Sequence, residues 1–260
     1  MTLQGIDVSS YQSNLNVGTY KCDFVICKAT EGTGYVNPVC DVHYQQAKAA
    51  GKLLGVYHYA RPDTGNSAES EADYFIGNIK GYIGEAVLAL DLECKNWWNY
   101  VTWAKNFLDR VYAKTGIRPL FYSPGDGFRY FKDMLNAGNY GVWAACSANS
   151  YYEGATIVMK QSVYDGLDHD TFYGDATAWR KYANPSGFIT PTSPAPEMPT
   201  GIGYKVGDMV RVINAITYDG KPFRTWFSRY EVMEVSGDRI VIGVNGVVTA
   251  AINAANIAHA

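Results

Sequence analysis

The sequence carries little charge and has no excess of positive charge. Charged residues make up 18% of its 260 residues, and the formal net charge is -3. Such a chain lacks the positive electrostatic potential that binding a polyanion requires, so we do not expect nucleic acid as a partner. No apolar run has the length of a membrane-spanning helix, so membrane insertion is not expected either.

The sequence also lacks the spacings that mark most metal and cofactor sites. It contains no phosphate loop, GxGxxG turn, GxSxG elbow or HExxH helix, and its four histidines are dispersed. We therefore expect no metal ion and no other cofactor.

Cysteine is scarce, and the spacing of the cysteines along the sequence indicates no pairs. The five cysteines are odd in number and show no CxxC or Cys/His spacing, so we interpret them as the reduced thiols of a protein made in a cytosol. Met1 is followed by polar residues rather than by a basic start and an apolar run. The sequence therefore predicts no signal peptide.

Hydrophobic and aromatic residues are abundant by contrast. The hydrophobic share of 47% allows one large core and a small second domain. Aromatic residues make up 14%, with 21 tyrosines and 6 tryptophans. Aromatic rings with a polar edge suit both buried cores and the faces of sugars, so the composition is a weak indication of carbohydrate.

Short apolar runs alternate with longer amphipathic stretches, which is the pattern of alternating strands and helices. Because there are eight such runs, we expect an α/β fold, an irregular (β/α) barrel of the TIM type, rather than an open sheet. The runs are 3–8, 24–29, 53–59, 86–92, 119–123, 141–146, 156–163 and 167–172. Residues 39–50, 68–79 and 97–115 are predicted helices, whereas the short later spacers indicate reduced helices.

The composition changes near the end of the barrel sequence. Five prolines occur between Asn184 and Gly203, which is typical of a stiff linker. Brief β-type runs then alternate with turns such as Asp219-Gly220, so residues 204–260 are predicted to form a small all-β domain. We therefore expect a catalytic barrel over 1–185, a proline-rich linker over 186–203 and a second domain over 204–260.

Four acidic residues stand where candidate strands end. They are Asp7, Asp91, Glu93 and Asp168. The carboxyl ends of parallel barrel strands meet at one rim, where active sites are built. Two residues apart on one strand, Asp91 and Glu93 should face the same way. Cleaving a glycosidic bond needs a protonated carboxyl at the leaving oxygen and a negative group near the developing positive charge, so this pair predicts a glycosidase.

Other acidic residues have simpler interpretations. Asp7 taken alone is more often a cap or turn residue. Asp168, Asp170 and Asp175 lie in one polar stretch, and we expect at most one of them to be catalytic.

Aromatic side chains of the same rim are candidate sugar-binding residues. They are Tyr57, Tyr59, Trp97, Trp98, Tyr122 and Trp143. Tyr57 and Trp143 are equally well explained by core packing, whereas Trp97 and Trp98 are expected to form a cleft wall. Lys28 could bond an acetamido or hydroxyl group of the substrate, or pair with a neighbouring carboxylate. His58, inside an apolar strand, is expected to be structural.

Five segments carry a family resemblance. They are 5–12 (GIDVSSYQ), 24–32 (FVICKATEG), 55–59 (GVYHY), 90–93 (LDLE) and 167–174, where Leu167-Asp168 leads to Phe172-Tyr173-Gly174. Through them residues 1–183 resemble the glycoside hydrolase family 25 lysozymes, which cleave between N-acetylmuramic acid and N-acetylglucosamine. The resemblance implies that Glu93 is the general acid and Asp91 its partner. It also implies that Asp7 and Asp168 complete the acidic rim.

The sequence departs from the family pattern at the seventh strand. The family commonly has Trp-Gln-Tyr there, whereas this chain has Lys160-Gln161-Ser162. Gln161 remains a candidate substrate-binding residue. The loss of two aromatic residues puts stacking at one sugar subsite in doubt.

The second domain is similar to bacterial SH3-type wall-binding domains, through Lys205-Val206-Gly207-Asp208 and Tyr230-Glu231-Val232. Such domains accompany catalytic barrels in phage endolysins. The resemblance implies an N-acetylmuramidase that acts on bacterial peptidoglycan, stays in the host cytoplasm until lysis and leaves through a holin pore. A bacterial autolysin exported by another route is the alternative origin.

Other functions remain open at this stage. The chain could be a carbohydrate-binding protein on an inactive glycosidase scaffold, or a chitinase-like enzyme acting on N-acetylglucosamine polymers. Two mechanisms are also open. Either the substrate's own 2-acetamido group attacks the anomeric carbon while Asp91 orients it, or a carboxylate acts directly on that carbon or on water.

Overall fold

The computed structural model describes residues 2–185, 203–225, 227–244 and 247–260. The chain divides into two compact units, Met1–Ile189 and Thr190–Ala260. Of the predicted linker only Gly203 is described, so the rest of that prediction lies outside the described residues. Among the helices of the described ranges, none has the length and apolar character needed to cross a membrane.

The first unit is a closed barrel of eight strands, as the alternating pattern predicts. Going round the barrel, the strands are β1 (Leu3–Val8), β2 (Phe24–Glu31), β4 (Leu53–Tyr59), β5 (Ala86–Asp91), β6 (Leu120–Ser123), β7 (Val142–Ala144), β8 (Ile157–Tyr164) and β9 (Leu167–Phe172). A two-residue strand, β3 (Tyr35–Val36), pairs with the end of β2. Strands β1 to β8 of the barrel run parallel, and β1 closes the ring between β2 and β9.

The last strand runs antiparallel to both of its neighbours. It follows β8 through a two-residue turn at Asp165 and Gly166, both at positive φ, and such a turn can join only antiparallel strands. Asp168 therefore lies at the amino end of β9, and the prediction that it ends a strand is wrong. Because β9 is reversed, Asp168 still pairs with Asp7 at the same rim.

In the described part of the first unit, five α-helices surround the barrel: α1 (Cys40–Ala49), α2 (Ala68–Asn78), α3 (Val101–Thr115), α4 (Lys132–Gly138) and α5 (Ala176–Ala183). The side chain of Ser67 caps the start of α2, and α3 ends at Gly116 in the left-handed conformation. The third helix begins at residue 101 rather than 97, because Asn96 adopts a left-handed conformation and a 3-10 turn follows it. The helices after β6 and β7 are reduced, as the short spacers predict.

Apolar side chains fill the barrel interior away from the rim. They include Phe24, Ile26, Tyr57, Val87, Ala89, Leu120, Trp143, Met159 and Phe172, and Trp179 of α5 packs against them. Gly5 makes room for this layer, since a Cβ there would lie 2.2 Å from the Phe24 ring. The interior is therefore a packed core, and polar chemistry is restricted to the rim.

The second unit contains a five-stranded antiparallel sheet in the order β13-β12-β11-β10-β14. The strands are β10 (Met209–Val212), β11 (Tyr230–Ser236), β12 (Arg239–Val244), β13 (Val247–Asn253) and β14 (Ile257–His259). It has its own core, which includes Val210, Tyr230, Val232, Ile242 and Ile252. A second, small all-β region is therefore present, and its assignment to the SH3 type stays a prediction.

Candidate active site

Five carboxyl groups gather at one rim of the barrel. Asp7 lies near the end of β1, Asp91 ends β5, and Glu93 follows two residues later; Asp168 and Asp170 lie on β9. The side chains of Asp7 and Asp91 are each 7% exposed, whereas Glu93 is exposed. The rim thus offers the exposed carboxyl of Glu93 and the half-buried carboxyl of Asp168 beside others that are largely withdrawn from water.

The surroundings of these groups favour their protonated forms. Burial, together with the negative charges nearby, raises the pKa of Asp7 to about 7 although Gln161 lowers it. Burial and the Glu93 charge raise the pKa of Asp91 well above its usual range. Burial also raises the pKa of Glu93, against the opposing effect of Lys28, although the Glu93 side chain reaches solvent. A carboxyl held protonated near neutral pH can act as an acid.

Lys28 is the cation that faces this cluster. Its Nζ lies 2.7 Å from the Glu31 carboxylate and 4.5 Å from the centre of the Tyr59 ring. Of the two predicted roles, the structure contains the ion pair with a carboxylate. Arg61 also pairs with Glu31, at 3.0 Å, so Glu31 shares its charge between two cations.

Asp91 lies between two half-buried tyrosines on the neighbouring strands, since it pairs with Tyr59 of β4 and Tyr122 of β6. One of its carboxylate oxygens, Oδ1, is buried and has no hydrogen-bond partner among the described residues. A buried acceptor without a donor is costly, so this atom is placed to receive a group from outside the chain.

The side-chain amide of Gln161 makes hydrogen bonds through both its oxygen and its nitrogen. It accepts a hydrogen bond from the Tyr122 hydroxyl at 2.8 Å and donates one to Oδ2 of Asp7, also at 2.8 Å. Gln161 is buried and orients Asp7 through this bond, and its contact with the substrate stays a prediction. Tyr122, the first residue of this chain of hydrogen bonds, remains partly exposed at the rim.

Tyr57 and Trp143 are packing residues, which is one of their two predicted roles. Both are buried in the barrel interior, where their rings meet edge to face at 6.1 Å. The edge of Trp143 also contacts Tyr122, and its indole N–H donates to Asp170. The structure therefore contains the packing role of both rings, and their contact with a sugar stays a prediction.

Trp97 departs from the predicted cleft wall. Its indole is buried in the core outside the barrel, where it stacks on Phe131 at 5.6 Å. The 3-10 turn directs Trp98 outward instead, and Trp98 is 39% exposed. Two adjacent tryptophans in a tight turn cannot both face the same way, which the sequence pattern alone did not resolve.

One exposed aromatic residue near the rim was missed. Ser9 and Gln12 form a reciprocal capping box directly after Asp7, and the turn they fix leaves Tyr11 95% exposed. The Ser-x-x-Gln spacing could have indicated this turn from the sequence. Tyr11 is therefore a further candidate for contact with a sugar ring.

The departure from the family pattern at β8, the seventh strand of the barrel, does not affect residues that face the barrel interior. Successive residues of a strand face opposite sides, and Gln161 faces inward. Lys160 and Ser162 therefore point away from the interior, and Lys160 bonds Asn149 on the outside at 2.7 Å. The absence of aromatic residues at these two positions therefore removes no stacking surface from the barrel interior.

His58 is structural, as predicted. Its two ring nitrogens lie 2.8 Å from Thr30 and 2.8 Å from Glu71, and its ring stacks on Phe107. It faces the helices rather than the carboxyl cluster. Within the described ranges, no group of three or more histidine, cysteine, aspartate or glutamate side chains is placed to hold a metal ion.

A closed barrel that presents an accessible carboxyl with a raised pKa beside a buried one has the arrangement of a glycoside hydrolase. Residues 6–164 match the family described as Glycosyl hydrolases family 25. The chain belongs to this family of lysozymes and muramidases and is a glycosidase. The matched span ends before β9, so Asp168 and Asp170 lie beyond it.

Individual relatives agree with this assignment. The chain is 36% identical over 167 residues to the N,O-diacetylmuramidase of Chalaropsis sp, a match that covers 57% of this chain and 72% of the relative. The family GH25 lysozyme from Aspergillus fumigatus is 29% identical with a TM-score of 0.62, over 71% of this chain and 100% of that one. The bacterial lysozyme from Streptomyces coelicolor is 26% identical with a TM-score of 0.61, over 70% and 97%.

The stability of the first unit should fall as the pH rises from about 4 to about 7. A carboxyl whose pKa is higher in the folded than in the unfolded state stabilises the fold below its unfolded pKa, and this contribution is lost as the pH rises through the folded pKa. Asp7, Asp91, Glu93, Asp168 and Asp170 all shift in this direction.

Thermal unfolding followed by tryptophan fluorescence would measure this slope, because five of the six tryptophans lie in the first unit. Asp7→Asn should flatten the slope, because it removes one of the titrating carboxyls. A midpoint that stays constant or rises over this range would contradict the assignment of the shifts.

Proposed function

We propose that the chain is an N-acetylmuramidase that hydrolyses the β-1,4 bond between N-acetylmuramic acid and N-acetylglucosamine in bacterial peptidoglycan. The observation that carries this proposal is the pair formed by the exposed Glu93 and the buried Asp91 with its unpartnered Oδ1, in a barrel of this family. Relatives named as muramidases and lysozymes support the choice of substrate.

Glu93 is the proton donor in this proposal. Its side chain reaches solvent at the rim, where a glycosidic oxygen can approach it, and its raised pKa keeps the proton available. As the bond to the leaving sugar breaks, the proton moves from the Glu93 carboxyl to the departing oxygen. The resulting Glu93 carboxylate can then take a proton from the water that completes hydrolysis.

Asp91 orients the substrate's acetamido group. No donor among the described residues reaches the buried Oδ1, and an acetamide N–H at the sugar's 2-position supplies one. In its ionised form, which the positive charge of Lys28 favours, Asp91 is a strong hydrogen-bond acceptor, so this contact strengthens the acetamide oxygen as the nucleophile at the anomeric carbon. We therefore favour the substrate-assisted mechanism over direct attack by a carboxylate.

The remaining rim residues have supporting roles in the proposal. Asp7 and Asp168, paired across β1 and β9, add negative charge near the developing positive charge of the sugar. Tyr59 and Tyr122 flank Asp91 and are partly exposed, so they remain candidates for contact with the substrate.

Mass spectrometry of digested peptidoglycan tests the bond that is cut. We expect muramic acid at the new reducing ends and no fragments from chitin. Reducing-end N-acetylglucosamine from peptidoglycan would overturn the proposal, and degradation of chitin would favour the chitinase-like alternative. Anomer-resolved NMR of early products tests the mechanism, because net inversion rules out acetamide assistance.

We also propose that residues 204–260 bind the cell wall. The five-stranded all-β organisation of this unit, with a core of its own, is compatible with the SH3-type resemblance. The inactive Glu93→Gln chain should sediment with purified walls, and the same chain ended at residue 185 should remain in the supernatant. Equal sedimentation of both would place wall binding in the barrel.

The chain's origin as a phage endolysin, held in the host cytoplasm and released by a holin, is proposed with it. All five cysteines are free thiols, as suits a reducing compartment. Expression in a susceptible host should cause lysis only when a holin is expressed as well. Lysis without a holin would favour an exported autolysin.

A further inference from the structure

Asp170 is the most deeply buried of the rim carboxyls. It lies on β9, opposite Gly5 of β1 and Gln161 of β8, and its side chain is 1% exposed. The indole N–H of Trp143 donates to its Oδ1 at 2.7 Å. Its other oxygen, Oδ2, receives no hydrogen bond from any donor among the described residues.

Another acid lies diagonally across the β1–β9 pair from Asp170. Asp7 is the strand partner of Asp168, which is two residues before Asp170 and on the same face. Asp7 and Asp170 each alter the pKa of the other, and at this spacing their carboxyl groups can hydrogen-bond to each other. Two carboxyl groups can do so only when one of them carries a proton, since ionised carboxylates have no donor. Two buried ionised carboxylates in contact would also repel each other at a large energetic cost.

The partners of the two groups indicate where the proton lies. Asp7 Oδ2 already accepts a hydrogen bond from the Gln161 amide at 2.8 Å, which favours a negative charge on Asp7. Within the described ranges Asp170 has no donor at Oδ2, so a proton on that atom satisfies it and gives Asp7 a second donor. Burial raises the pKa of Asp170 well above its usual range, in agreement with this placement.

We propose that Asp170 is a positioning residue, whose permanently protonated carboxyl donates a hydrogen bond to Asp7, favours the ionised form of Asp7 and fixes its side chain at the rim. The proposal rests on the proposed function for its effect on catalysis, but not for the hydrogen bond itself. Trp143 fixes the Asp170 carboxyl from the opposite side, which gives the buried indole a role beyond packing.

Asp170→Asn tests the protonation state directly. An amide resembles a protonated carboxyl, because its oxygen can accept from Trp143 while its NH₂ donates to Asp7. We expect this variant to keep its activity within about threefold and its pH profile unchanged, since the hydrogen bond to the charged group is retained.

Asp170→Ala removes the donor. Without it the ionised form of Asp7 is less stable, so the pKa of Asp7 should rise and the ascending limb of kcat/KM should shift to higher pH by about one to two units. Asp170→Leu, which fills the space without a donor, should shift the limb likewise and serves if the alanine variant does not fold. Asp175→Asn, at the cap of α5, is the matched control and should leave the limb in place.

Carboxyl ¹³C NMR titration of Asp7, made in the inactive Glu93→Gln chain, separates this proposal from the proposed function. The Asp7 pKa should be the same in the chain that keeps Asp170 as in Asp170→Asn, and higher in Asp170→Ala and Asp170→Leu. An Asp7 pKa that is unmoved in the donor-free variants, or equally raised in Asp170→Asn, overturns the proposal whichever bond the enzyme cuts.

Discussion

Replacing Glu93 by glutamine should lower the rate of glycan cleavage by about 10²- to 10⁴-fold. Glutamine keeps the size of the side chain but cannot give a proton to the leaving oxygen. Because Glu93 lies exposed at the rim, the substitution should leave the thermal midpoint nearly unchanged. The loss of turbidity of purified cell walls, together with the release of reducing ends, measures the rate.

Glu69→Gln is the matched control for this experiment. Glu69 is an exposed glutamate in the first turn of α2 whose charge acts on Arg110, and its replacement should leave the rate unchanged. If Glu93→Gln cleaves walls at a near-normal rate, Glu93 is not the acid.

The second large effect is expected for Asp91→Asn, which should lower the rate by about 10²- to 10³-fold. An asparagine oxygen accepts the acetamide N–H only weakly, because it carries no charge. The same change should raise the thermal midpoint at neutral pH. Burial raises the pKa of Asp91 well above its usual range, so the ionised carboxylate destabilises the fold as the pH rises, and the amide removes this effect.

Opposite movement of activity and stability distinguishes this role from simple structural damage. Thermal unfolding and wall turbidity, measured on the same preparation at several pH values, give both quantities. Asp133→Asn, at an exposed position in α4, is the control and should change neither. An Asp91→Asn chain that is both less stable and inactive would indicate misfolding rather than loss of the orienting carboxylate.

The barrel could be predicted because its signal is local. Each strand is a short apolar run bounded by polar or glycine residues. This pattern predicts both ends of β1 and of β4 correctly. The direction of β9 could not be read in the same way, because the strand pattern is the same in either direction. The Asp165-Gly166 pair between β8 and β9 was the available signal, since it is typical of a hairpin.

The acidic rim could be predicted in part. The spacing of Asp91 and Glu93 indicated the chemistry, since residues two apart face the same side of a strand, although β5 ends at Asp91 and Glu93 lies two residues beyond it. The partners of Asp7 are distant in sequence: Gln161 lies 154 positions away, and its contact depends on closure of the ring. For the same reason Asp170 was one of three interchangeable aspartates in the sequence, and only burial against Trp143 distinguishes it.

Binding residues were harder to predict than acids. A tryptophan side chain packs as readily into a core as against a sugar. Its role therefore depends on whether it points into the core or towards the open rim, which the sequence pattern does not show. Trp97 and Trp143 are both buried, by Phe131 in one case and by the barrel interior in the other. Tyr59 and Tyr122 remain candidates because they flank Asp91 at the open end.

The pairing of the first barrel strand with the last has a consequence for synthesis. β1 emerges early from the ribosome, but its partner β9 ends only at Phe172. Until then one edge of β1 and the far edge of β8 have unsatisfied backbone groups, which are sites of self-association in a nascent chain. Translation that stops before the β8–β9 turn would leave an open sheet prone to aggregation, so β9 is the last element that the barrel needs in order to close.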